Sequence, residues 1–118
     1  MKKIIIYTDG GSRGNPGQSA IGVVFCNENN QKLKEFSECI DEGTNNVAEY
    51  QALVFALKKF KAIFGKDLAK VADIEVRSDS ELMISQLNGK YKIMEENMQK
   101  LFIEVWNLKL DFAKIKFT

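Results

Sequence analysis

Ile4, Ile5 and Ile6, with Tyr7 behind them, form an unbroken apolar, β-branched run that stops at Thr8-Asp9-Gly10-Gly11. A membrane helix needs roughly 20 apolar residues, so this run is too short for one and reads as a strand buried in a sheet. It commits the chain to a layered structure in which other elements cover that sheet. Met1-Lys2-Lys3 carries the charge of a secretory leader, but Asp9 and the glycines end the apolar stretch too early for a leader's core. The expected location is cytoplasmic. Gly10 to Gly17 (GGSRGNPG) holds four of the eight glycines and the only proline, and is expected to be a turn region.

Ala20–Cys26 is expected to be a second strand, Asn27–Asn30 a turn and Lys32–Ile40 a third strand, together a hairpin. A turn centred near residue 29 sets Cys26 opposite a position near Leu33, not Cys39, so both thiols are expected to be packed and reduced. Thr44 or Asn45 can cap a helix that runs to about Phe64 and stops at Gly65. Tyr50, Leu53, Leu57, Phe60 and Phe64 form its apolar face. Ala72–Ser78 reads as a fourth strand. Ser78 and Glu81 stand at capping-box spacing for a helix to about Leu87. Met94, Met98, Leu101, Phe102, Val105, Leu108 and Phe112 give a further amphipathic helix, with Trp106 expected in the core, and Ala113–Thr118 starts a last strand. The order βββαβαα and a short β spans 1–118 as one domain, without repeat or linker. It is an α/β layer structure of mixed strand direction.

The chain has no histidine and only two cysteines. That removes the commonest general base, most zinc sites and any histidine-activated nucleophile. Formal charge is +1, from 17 basic and 16 acidic residues, so binding by bulk positive charge is excluded, though a local basic face is not. Chemistry would fall to carboxylates. Asp9 and Asp79 each follow a strand, and if those strands are parallel neighbours both acids emerge at the same sheet end, where open α/β sheets build their sites. Glu49 lies at the edge of the apolar face of its helix, pointing toward the sheet, where an ionised carboxylate is costly without something positive to meet it. Taken singly, each acid has a plainer use: Asp79 as a helix cap, Asp9 in a turn, Glu49 as a boundary residue reaching solvent. Convergence of all three suits Mg²⁺ or Mn²⁺, two of which about 4 Å apart are the usual device for phosphoryl hydrolysis.

Thr8–Gly17 (TDGGSRGNPG), Thr44–Tyr50 (TNNVAEY) and Ser78–Gly89 (SDSELMISQLNG) resemble, in order and spacing, type 1 ribonuclease H in its compact bacterial and archaeal form. The similarity covers essentially the whole chain. It implies a ribonuclease H-like fold, with a mixed five-stranded sheet that starts as an antiparallel hairpin, continues with parallel strands and is flanked by helices. It also implies metal-dependent endonucleolytic cleavage of the RNA strand of RNA/DNA hybrids, leaving a 5′-phosphate and a 3′-hydroxyl. By the resemblance, Asp9, Glu49 and Asp79 are catalytic and metal-binding, with Asp9 bridging two ions. Gly11, Ser12, Asn15, Asn45 and Asn46 match positions on the minor-groove face of the hybrid, and Thr44 matches one that contacts a DNA-strand phosphate. Small polar groups there suit 2′-hydroxyls, and glycine allows close backbone approach to a ribose.

The match departs from the family at three places. The family continues past its fifth strand into a last helix bearing a fourth acid, whereas this sequence ends at Thr118, and Glu104 and Asp111 do not match that acid. Metal and hybrid binding are therefore expected to outlast turnover, and the alternative is a non-catalytic hybrid-binding or oligomerising module. Without that helix, apolar sheet surface is expected at the C-terminal edge, favouring a homo-oligomer. Glu81 stands where many relatives carry a glutamine that contacts RNA. Between Asn88 and Glu95 only Lys90 and Lys92 flank Tyr91, so hybrid affinity is expected to be weak and salt-dependent.

Overall fold

The structure is a computed structural model that describes residues 2–118. The apolar run becomes β1 (Lys3–Ser12), which pairs antiparallel with β2 (Gly17–Asn27), and β2 pairs antiparallel with β3 (Lys32–Gly43). The expected turn at Gly10–Gly17 is corrected. Asp9, Gly10, Gly11 and Ser12 stay in the ladder opposite Gly22, Ile21, Ala20 and Ser19, and only Arg13 to Pro16 turn. At Gly10 backbone, not solvent, lies next to the strand, whereas a Cβ on Gly11 would meet only the Asn45 side chain, at 3.8 Å. A Cβ on Gly10 would sit 2.4 Å from the Ala48 carbonyl carbon and oxygen, so glycine marks the close approach of a helix to the sheet.

That helix is α1 (Asn45–Phe64), capped by Thr44, whose hydroxyl accepts Val47 N–H at 3.2 Å, and ended at Gly65. Tyr50, Leu53, Leu57 and Phe60 are fully buried against Ile4, Ile6, Val23, Phe25, Ile74 and Val76 of the sheet. A single turn, α2 (Lys66–Ala69), follows; four residues are too few to show a period in the sequence. β4 (Asp73–Ser78), α3 (Glu81–Leu87), α4 (Glu96–Lys109) and β5 (Lys114–Phe117) complete the chain. The sheet order is β3-β2-β1-β4-β5, with β1, β4 and β5 parallel. No helix among the described residues is long and apolar enough to cross a membrane.

Five local expectations fail. Ser80, not Ser78, caps α3, its hydroxyl accepting Met83 N–H at 3.2 Å, so the Ser78/Glu81 capping box does not form. Met94 lies outside α4 and is 82% exposed. Trp106 is 43% exposed, stacked on Phe102 at 5.5 Å with Lys109 Nζ 4.1 Å from its ring. The inward face of α4 is set by Met98 and Val105, seven residues apart, and Trp106 falls one step round from Val105. Cys26 is buried as expected, but Cys39 is exposed; they sit opposite Lys32 and Ala20. The C-terminal edge presents Lys114 and Lys116 rather than apolar surface, paired with Asp73 and Glu75.

Candidate active site

β1 and β4 run side by side in parallel, and their last paired rung is Thr8 with Ser78. Asp9, still paired with β2, and Asp79, just past β4, are the residues that follow this rung, so both lie at the same sheet end, as expected. Both are exposed and line one cleft of about 580 Å³ with Tyr7, Glu35, Ser37 and Arg77. Glu49 comes from the second turn of α1, pressed onto β1 at Gly10. It is 9% exposed, with Oε1 accepting Gly10 N–H at 3.1 Å and Oε2 accepting the Ser78 hydroxyl at 3.2 Å. Burial raises the Glu49 pKa above the usual carboxylate value. The two hydrogen bonds oppose that shift, and the charges of Asp9 and Asp79 add to it. The geometric link among the three is the pair of hydrogen bonds, which tie Glu49 to the residues next to Asp9 and Asp79.

No ion pair joins a basic residue to any of the three among the described residues. Arg77, the cation nearest in the cleft lining, is committed to Glu75 at 2.6 Å and to the Tyr7 hydroxyl. The Arg77 hydrogen bond, with Lys3 beside it, holds Glu75 down to about 2. Also among the described residues, no three acidic, histidine or cysteine side chains are drawn close enough to cage an ion as they stand. Like charges with nothing between them keep apart. An all-oxygen, uncompensated donor set of this kind fits a hard divalent cation.

The expected substrate residues are knit together beside the acids. Asn45 Oδ1 accepts both Ser12 N–H at 2.8 Å and the Ser12 hydroxyl at 3.2 Å, and Asn15 Oδ1 accepts Asn45 N–H at 2.9 Å. The Ser12 N–H requires the Asn45 oxygen on the inner side, which turns the amide Nδ2 outward. Asn15, Asn45 and Asn46 are exposed. A concavity of about 390 Å³ at Asp9, Gly10 and Gly11 leads from the acids to one of about 520 Å³ at Gly11, Ser12 and Asn45. Thr44, assigned to phosphate contact, uses its oxygen on the helix cap. Sequence reasoning missed Ser78 and Gly10 as parts of the site. Strand alternation was the available signal: Ser78 shares the inward parity of Ile74 and Val76, where a hydroxyl must find a partner.

The reverse transcriptase-like family matches residues 7–118. Ribonuclease HI of Halobacterium salinarum is 36% identical over 110 residues, 93% of this chain and 52% of that protein. The crystal structure of LC11-RNase H1 in complex with an RNA/DNA hybrid is 44% identical, with a TM-score of 0.91 over 98% of this chain and 83% of that one. The chain belongs to the type 1 ribonuclease H family. The bifunctional protein Rv2228c of Mycobacterium tuberculosis is 35% identical over 118 residues, 98% of this chain and 30% of that protein. The chain thus spans about a third to a half of these curated relatives. As a ribonuclease H domain it has the expected mixed five-stranded sheet, and the three segments that carried the resemblance each contribute residues to adjoining cavities at one sheet end.

Proposed function

We propose that the chain is a metal-dependent endoribonuclease that hydrolyses the RNA strand of RNA/DNA hybrids with two divalent ions, Mg²⁺ or Mn²⁺. The observation that carries this reading is the juxtaposition at one sheet end: Asp9 and Asp79 share a cleft, Glu49 is hydrogen-bonded to their neighbours Gly10 and Ser78, none of the three has a basic partner among the described residues, and concavities running from Asp9 through Gly11 reach Ser12 and Asn45. LC11-RNase H1, solved with a hybrid, supports the substrate class. Asp9, Glu49 and Asp79 would hold the ions, which when bound activate the attacking water and offset charge at the reacting phosphate. Asn45 Nδ2 and the Asn46 side chain would face 2′-hydroxyls in the minor groove, with Gly11 letting the backbone come close. Thr44 accepts a hydrogen bond at its cap but keeps its own proton to donate to a DNA-strand phosphate. A cytoplasmic location belongs to the same reading.

The wide setting of the acids favours a second reading, a hybrid-binding module without turnover. The test is cleavage of a labelled RNA/DNA duplex in Mg²⁺ and in Mn²⁺, at equal protein concentration, for the unmodified chain and Asp9→Asn. We expect cleavage that Asp9→Asn lowers roughly 100-fold or more. Hybrid bound but uncut in both metals establishes the second reading. Equal cleavage by both proteins removes the assignment.

A further inference from the structure

Both hydrogen bonds to the Glu49 carboxylate come from neighbours in sequence of the other two acids. Gly10, which donates to Oε1, follows Asp9; Ser78, which donates to Oε2, precedes Asp79. The Ser78 oxygen is fixed in turn, accepting Ser80 N–H at 3.1 Å, and Ser80 caps α3. With its acceptor side engaged by Ser80, the single Ser78 proton is aimed at Glu49. The hydroxyl across the ladder does not share this task. Thr8 pairs in register with Ser78 and is buried, yet its Oγ1 makes no hydrogen bond among the described residues. Without a donor at Oε2, burial and the charges of Asp9 and Asp79 would drive the Glu49 carboxylate toward water.

We propose that Ser78 is a positioning residue for the divalent site, holding Glu49 beside Asp9 and Asp79 so that the donor set is spaced by folding rather than by the ion. The proposal rests on the assignment of those acids as metal ligands. Ser78 itself touches neither ion nor substrate in this account. Preorganisation of this kind shows in affinity, because conformational cost is met before binding.

Thermal unfolding across a manganese titration reads the ion without any turnover, since a ligand of the folded state raises its stability by mass action. Ser78→Ala is expected to raise the Mn²⁺ concentration for half-maximal stabilisation roughly tenfold, the scale of one hydrogen bond to a charged group. Ser78→Thr, which keeps the hydroxyl on a strand position, is expected to restore it. Thr8→Val removes a hydroxyl that holds nothing and should leave the midpoint where it is. An unchanged midpoint in Ser78→Ala, no rescue by Ser78→Thr, or an equal change in Thr8→Val overturns the positioning role. In each case the acid assignment stands provided Asp9→Asn abolishes the manganese shift. A shift absent from the unmodified chain, or surviving in Asp9→Asn, overturns both.

Discussion

Glu49 is held at a cost. Its carboxylate is buried near two other acids, and two hydrogen bonds only partly offset that. The sign follows directly. A carboxyl whose folded pKa is raised destabilises the fold once pH exceeds its ordinary value, and neutralising it relieves the strain. Glu49→Gln preserves size and can still accept from Gly10. We therefore expect it to raise the metal-free unfolding midpoint at pH 7 by about 2–4 °C while removing stabilisation by manganese. Differential scanning calorimetry with and without Mn²⁺ checks both halves. A lower metal-free midpoint would mean that Glu49 is a structural carboxylate, not a site acid.

At the scale of elements, α1 reaches the sheet only because β1 has no side chain at Gly10. Gly10→Ala would force a Cβ to within 2.4 Å of the Ala48 carbonyl and 2.7 Å of Glu49 N. Both are backbone, which cannot step aside. The expected cost is about 3 kcal/mol, measurable by urea unfolding, with loss of the Glu49 placement. The same contact explains what was legible in the sequence. The β-branched run, the Thr44 cap and the Gly65 stop are local signals, and each appears where local chemistry puts it. Parallel pairing of β1 and β4 was a condition that the sequence left open and the family resemblance implied, and with it comes the shared sheet end of Asp9 and Asp79. Gly10 and Gly11 misled because glycine marks both turns and close approaches, and only the packed helix distinguishes them. The sequence pointed to Ser78 as the cap of α3, two residues before the serine that caps it. The choice fell to Ser80 because Ser78 was still in the ladder and turned toward Glu49. Trp106 is wide of the core because Met98 and Val105 set the rotation of α4, and one sequence step moves a side chain well round a helix.

The whole molecule carries two charge clusters of opposite character. On the sheet face away from α1, Glu75 is 6% exposed and paired with Lys3 at 3.2 Å, Arg77 at 2.6 Å and Lys116 at 3.8 Å. Its pKa of about 2 lies below the ordinary 4.5. A depressed carboxyl contributes stability that is complete above its unfolded value and is lost as pH falls through the folded one. Glu75→Gln should therefore unfold below the unmodified chain at pH 7, and the gap should close between about pH 4.5 and about pH 2. A gap independent of pH would contradict the assignment. The other cluster, Asp9, Glu49 and Asp79, has no such partners among the described residues, though its members come from stretches 30 to 40 residues apart that the β1-β4 pairing and α1 bring together. The most direct measurement is anomalous diffraction from a crystal soaked in manganese. The account predicts a peak among the carboxylates of Asp9, Glu49 and Asp79 that disappears in Asp79→Asn. Full manganese exposure with no peak there, or a peak that Asp79→Asn leaves in place, would contradict it.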